Sequence, residues 1–303
     1  MTNARRALLG ALIDHAALFP PASMTMEDAV AEDRAARGGA YGWMVARFVC
    51  PASRLEELRD GFGGWPAAPP LSVVLDGVGQ TDEASWSEAL EADAHVIEAA
   101  LASGAPIEAV ELRLPSPRPG SAALIAAQAV LRPLKTEVYL ELLPGESWRN
   151  DVPAAIGAAS AVGARAKVRC GGESAAAVPP VELLALALAS CRDTGVVLKA
   201  TAGLHHPVRH TDEATGITMH GFLNLLAAAA FGAAHNLRPS GLERVLAEED
   251  AAAFEVSAEE LRLDGQRASA DEIAAARRHL FISYGSCSWR EPVDDLRELG
   301  VLE

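Results

Sequence analysis

Eight short aliphatic runs recur along the chain, and a helix-like segment follows nearly every one. The runs are Leu9 to Ile13, Gly42 to Val49, Leu71 to Leu75, Ile107 to Leu114, Glu137 to Leu143, Ala164 to Val168, Val196 to Ala200 and Leu280 to Tyr284. Helices are read at Met26 to Arg37, Ser53 to Asp60, Ser85 to Ser103, Ser121 to Leu131, Val152 to Val162, Pro180 to Asp193 and, after the last run, Pro292 to Leu299. Parallel strands need a long crossover, and a helix is the usual way to supply it. Strict alternation therefore predicts an α/β fold with a parallel sheet, and eight repeats predict its closure into a (β/α)8 TIM barrel. The 303 residues suit a single barrel domain, 1–303.

One stretch breaks the period. Residues 202–279, before the last strand, are far more than a crossover needs and read as an insertion. They hold a His-rich loop, an apolar helix from Met219 to Ala234, a second helix from Leu242 to Glu249, and a β-ribbon at Phe254 to Val256 and Leu261 to Leu263. An apolar helix in an insertion suggests a lid or an oligomer contact, and with it a homodimer.

The net charge of −15, with no cluster of Lys and Arg among aromatics, argues against nucleic acid as a partner. The four cysteines have no CxxC spacing and are too few for a disulfide scaffold, so reduced thiols are expected. Asp14 and His15 interrupt the amino-terminal apolar run before it reaches signal-peptide length, and no unbroken apolar stretch long enough for a span follows. The expectation is a cytoplasmic protein with no membrane partner.

Lys167 and Lys199 lie 32 positions apart, about one strand-plus-helix repeat, so neighbouring strands could hold both ammonium groups in one pocket. Each would lower the other's pKa, and a lysine treated this way becomes a nucleophile. Alternate residues of a barrel strand point inward, and those near the carboxyl ends build the active site. If the aliphatic sets face the helices, Glu111, Arg113, Glu141, Lys167, Arg169 and Lys199 share the interior on four consecutive strands. Four cations against two carboxylates point to an anionic or electron-rich ligand. An ion-pair network that merely fills the barrel is the alternative.

Several of these positions fall in short motifs: Ile13-Asp14-His15-Ala16-Ala17-Leu18, Phe48-Val49-Cys50-Pro51, Glu108-Ala109-Val110-Glu111, Gly163-Ala164-Arg165-Ala166-Lys167 leading to Gly171, and Leu198-Lys199-Ala200-Thr201-Ala202-Gly203. In order and spacing, residues 8–204 resemble the class I 2-deoxyribose-5-phosphate aldolase family, with a weaker echo at Gly285-Ser286-Cys287-Ser288. The resemblance implies that Lys167 forms an imine with a small-molecule carbonyl substrate while the positive charge of Lys199 keeps Lys167 partly deprotonated. It also implies that Glu111 shuttles protons through a water and that Asp14 joins the relay or positions Lys199, with no cofactor. Val168-Arg169-Cys170 and Thr201-Ala202-Gly203-Leu204-His205-His206 depart from the family where it has small hydroxyl residues and a phosphate cradle. These departures imply a different substrate, anionic or polyhydroxylated, with Arg169, Arg113, Glu141, Cys50, His205, His206, Arg209 and Ser286 as candidate binding residues.

Two other readings stay open. His205, His206 and His210 crowd one loop past the Lys199 strand and could bind a divalent metal for a hydrolase or lyase, with Lys167 as a substrate anchor. Alternatively, the barrel is a non-catalytic metabolite binder.

Overall fold

A computed structural model describes residues 3–77, 82–116, 121–143, 145–172 and 174–303, with side chains from residue 123 onward in the helix that starts at Ser121. Parallel strands β1 (Ile13–His15), β2 (Val45–Pro51), β3 (Leu71–Val74), β4 (Ile107–Arg113), β5 (Glu137–Glu141), β6 (Arg165–Arg169) and β7 (Leu198–Thr201) pair in sequence order. After two intervening small sheets, β13 (Phe281–Ser286) pairs with both β7 and β1 and closes an eight-stranded barrel. This is the (β/α)8 TIM barrel that the alternation predicts.

The barrel forms because its two faces differ. Val110, Leu112, Leu140, Ala166, Val168 and Ala200 point outward and are buried in the hydrophobic core shared with the helices. That ring contains α2 (Met26–Gly38), α3 (Leu55–Phe62), α4 (Glu83–Ala102), α5 (Ser121–Leu131), α6 (Trp148–Ala161) and α7 (Val181–Thr194). The helical stretch Ala175–Thr194 is apolar and long enough to cross a membrane by length and composition. Here α7 buries Leu183, Leu184, Ala187, Leu188 and Cys191 in the ring.

The first aliphatic run is not the strand expected from Leu9 to Ile13. Residues Ala4–Leu9 form helix α1, because the Asn3 side chain accepts from the backbone N–H groups of Arg5 and Arg6, and Leu8 and Leu9 fall on its buried face. The strand begins after a turn in which Ala11 has φ +44°. Arg277 ties this turn to the closing strand: its guanidinium donates to the carbonyls of Leu8, Gly10, Ala11, Phe281 and Ile282.

The long stretch before β13 belongs in part to the ring. Its apolar helix α8 (Phe222–His235) is buried from Phe222 to Gly232, and Phe222 stacks on Tyr284 of β13 at 5.1 Å. The apolar side chains of this helix are thus packed within the chain. The remainder comprises a hairpin, β8 (His210–Thr211) and β9 (Thr218–Met219), then α9 (Pro239–Leu246) and a three-stranded sheet of β10 (Glu255–Val256), β11 (Glu260–Leu263) and β12 (Gln266–Ser269). It ends in α10 (Ala270–His279), started by a capping box between Ser269 and Glu272. After β13, α11 (Arg290–Glu298) completes the chain's helices.

Candidate active site

The barrel interior is ionic. Asp14 from β1, Glu111 from β4, Glu141 from β5, Lys167 from β6 and Lys199 from β7 project into it, all nearly inaccessible to water. Lys167 and Lys199 are register partners on adjacent strands, as are Glu141 and Lys167. Lys167 Nζ lies 2.9 Å from Glu111 Oε2 and 2.7 Å from Glu141 Oε2. Lys199 Nζ lies 2.5 Å from Glu111 Oε1 and 2.6 Å from Asp14 Oδ2. Glu111 therefore bridges the two lysines through its two oxygens.

Residues that sequence reading passed over fix this arrangement. The Ser72 hydroxyl donates to Glu111 Oε1 at 2.6 Å, and the Ser283 hydroxyl donates to Asp14 Oδ2 at 2.8 Å. The backbone N–H of Arg47 donates to Asp14 Oδ1 at 3.2 Å, and Lys199 Nζ sits 5.3 Å from the Tyr139 ring centroid, within cation–π range. Ser72 and Ser283 take the inward alternation on β3 and β13, and that period-two polarity is the sequence signal that marks them.

The electrostatics differ from the sequence expectation. Burial alone drives Lys167 down, but Glu111 and Glu141 outweigh it and hold the ammonium above its ordinary 10.5. Lys199 is likewise raised: burial opposes its charge, and Asp14 and Glu111 overcome burial. For Glu111, burial favours the neutral acid, yet the two ammonium groups hold it well below the usual carboxylate range. Lys167 is thus a protonated ammonium at rest. The mutual depression expected of a bare lysine pair is cancelled by the carboxylates interleaved with them.

The charge count differs too. Asp14 joins the buried set, which is three carboxylates and two ammonium groups. Arg113 and Arg169, expected inside with the lysines, are exposed. Each is the last residue of its strand, where the barrel opens to solvent and a guanidinium stays hydrated. Both lie on the inward alternation, two residues beyond Glu111 and Lys167, and so flank the mouth.

Other candidates are placed elsewhere. Cys50 alternates outward into the core, and burial pushes its thiol up to about 12. Ser286 also alternates outward and donates to the Ser288 carbonyl at 2.5 Å, shaping the turn after β13. His205 Nδ1 lies 2.9 Å from Glu291, and His206 Nδ1 lies 2.6 Å from Asp295, so both histidines dock their loop on α11. His210 is edge-on to His206 at 4.5 Å, while its Nδ1 lies 3.1 Å from the Val208 carbonyl. Arg209 contacts Glu249 and His220. Among the described residues, no group of three or more His, Cys, Asp or Glu is set to hold a metal.

The loops after β6 and β7 touch backbone to backbone. A Cβ on Gly171 would sit 2.8 Å from Gly203 Cα, and Gly203 has φ +68°, so glycine is required at both positions. This contact fixes Arg169 and Thr201 side by side at the mouth, where they are register partners.

No protein-family model matches the chain, and no curated protein matches it. The chain is similar to solved structures of mandelate oxidase. One, with 3,3-difluoro-2-hydroxy-3-phenylpropionic acid, is 15% identical over 89% of this chain and 78% of that one, with a TM-score of 0.41. Another, with (S)-2-phenylpropionate, is 16% identical over 82% of this chain and 77% of that one, with a TM-score of 0.40. The barrel assignment rests on the chain's own strand order.

Proposed function

We propose that this barrel is a lyase of the class I aldolase type, in which Lys167 forms an imine with a small carbonyl compound bearing an anionic or hydroxylated tail. The observation that carries the reading is Lys167 Nζ held between Glu111 and Glu141, with Lys199 on the other oxygen of Glu111. Such a cluster gives an amine what imine chemistry needs: carboxylates to receive its protons and a second cation to bias charge on the first.

The two lysines divide the work. Lys199 is locked by Asp14, Glu111 and the Tyr139 ring and serves as fixed positive charge. Lys167 is paired with Glu141, the last residue of β5 and so the carboxylate nearest the mouth. Arg169 and Arg113, exposed above this pair, are suited to steer and hold an anionic tail. The resemblance to 2-deoxyribose-5-phosphate aldolases agrees with these roles. The altered loops after Lys167 and Lys199 favour another carbonyl compound. The histidine loop favours no second reading, since His205 and His206 are engaged with carboxylates of α11.

Imine formation acidifies the neighbouring C–H. The protein in D2O with acetaldehyde, dihydroxyacetone or pyruvate should exchange the α-proton of at least one compound, followed by proton NMR, and Lys167→Met should abolish that exchange. Equal exchange by Lys167→Met and the unmodified protein would contradict the assignment.

A further inference from the structure

Two carboxylates touch Lys167, and their surroundings differ. Glu111 has both oxygens committed: Oε1 accepts from Lys199 at 2.5 Å and from Ser72 at 2.6 Å, and Oε2 accepts from Lys167 at 2.9 Å. Its charge is required where it stands, because a protonated Glu111 would take from two buried ammonium groups the carboxylate they share. Glu141 contacts Lys167 through Oε2 at 2.7 Å, and its other oxygen has no hydrogen bond or ion pair among the described residues. Its register neighbours are Lys167 on one side and Arg113 on the other, so it spans the buried lysine and the open mouth.

From this asymmetry we infer that Glu141 is the acid and base of the reaction and that Glu111 is a fixed electrostatic strut. The inference rests on the imine reading and reassigns the proton shuttle that the family resemblance gives to Glu111. The Lys167 ammonium passes one proton to Glu141, and the freed amine attacks the carbonyl carbon. The N–C bond forms as the carbonyl π pair moves to oxygen, which takes the proton back from Glu141. A second proton travels from nitrogen through Glu141 to that hydroxyl, the C–O bond breaks, and water leaves. Ammonium and carbonyl have then become iminium and water, with Glu141 again a carboxylate. Glu141 next takes the α-proton while the C–H pair flows to nitrogen, giving the enamine.

The test compares Glu141→Gln, Glu141→Ala and Glu141→Asp with the unmodified protein in the D2O exchange measurement. A positioned acid–base group contributes roughly 100-fold or more, so Glu141→Gln and Glu141→Ala should lose about that factor while keeping their circular dichroism. Sodium formate should restore exchange in Glu141→Ala at least tenfold and leave Lys167→Met silent; a merely structural carboxylate would not be rescued. Should the Gln variant unfold, Glu141→Asp carries the test and should keep more than a tenth of the rate. Exchange in Glu141→Gln within threefold of the unmodified protein, or a formate-insensitive Glu141→Ala, overturns the inference and leaves the imine reading standing. Absence of exchange with every carbonyl compound in the unmodified protein removes the imine reading, and this inference with it.

Discussion

The two ends of the barrel interior are both ionic, and they are built from different chemistry. At the amino-terminal end, Arg47 pairs with Glu108 at 3.0 Å and Glu137 at 2.9 Å, while Arg165 pairs with Glu137 at 2.6 Å and donates to the Tyr139 hydroxyl at 3.0 Å. Two guanidinium groups balance two carboxylates, and Glu108 is 53% exposed. At the carboxyl end the cations are ammonium groups, the carboxylates outnumber them three to two, and no side chain in the cluster exceeds 6% exposure. Guanidinium cannot give up its proton near neutral pH, whereas a buried ammonium can. The first network is built to stay charged and fill the barrel. The second contains groups that can exchange protons, at the end where barrels carry chemistry.

The two ends should differ most under single substitution. Lys199→Met would leave Asp14 and Glu111 without the charge that both accept from, and removing one partner of a buried pair costs about 3–5 kcal/mol. Urea unfolding should show a loss of that order; a loss under about 1 kcal/mol would mean that the carboxylates are solvated or protonated.

A smaller effect should appear with pH. Glu111 titrates below its ordinary 4.5 in the folded chain, so its contribution to stability is complete above 4.5 and is lost as pH falls through the folded value. Lys167 and Lys199 are raised above 10.5, so their contribution is complete below 10.5 and is lost only at higher pH. Unfolding midpoints followed from pH 7 to pH 3 should fall, and Glu111→Gln should flatten that slope. An unchanged slope in the variant would place the acid sensitivity elsewhere.

The smallest effect belongs to the other end. Arg165→Met removes a pair whose members are each more than a quarter exposed, and it should cost about 1 kcal/mol or less by the same unfolding measurement. A cost matching that of Lys199→Met would erase the distinction between the two ends.

Much of this was legible in the sequence, for identifiable reasons. Strand alternation gave the barrel, and period-two reading put Glu111, Glu141, Lys167 and Lys199 inside, because a strand's two faces are fixed once one is apolar. The role of Asp14 as direct partner of Lys199 was hinted at only by the motif around it. The sign of the lysine shifts was not legible, since it depends on which oxygens reach which nitrogens. Arg113 and Arg169 were misplaced because alternation says which face a residue takes and not how far up the barrel water reaches. Arg277 was invisible because its carbonyl partners lie as far away in sequence as Leu8. The helix Ala270–His279 was announced by Ser269 and Glu272 at capping-box spacing and passed over within the long insertion.

Lys167, and not its register partner Lys199, is the proposed nucleophile. Borohydride reduction in the presence of acetaldehyde, dihydroxyacetone or pyruvate, followed by peptide mass analysis, tests it directly. A reduced adduct is expected on the peptide bearing Lys167 and none on the peptide bearing Lys199. An adduct on Lys199, or none on either lysine with every carbonyl compound, would contradict it.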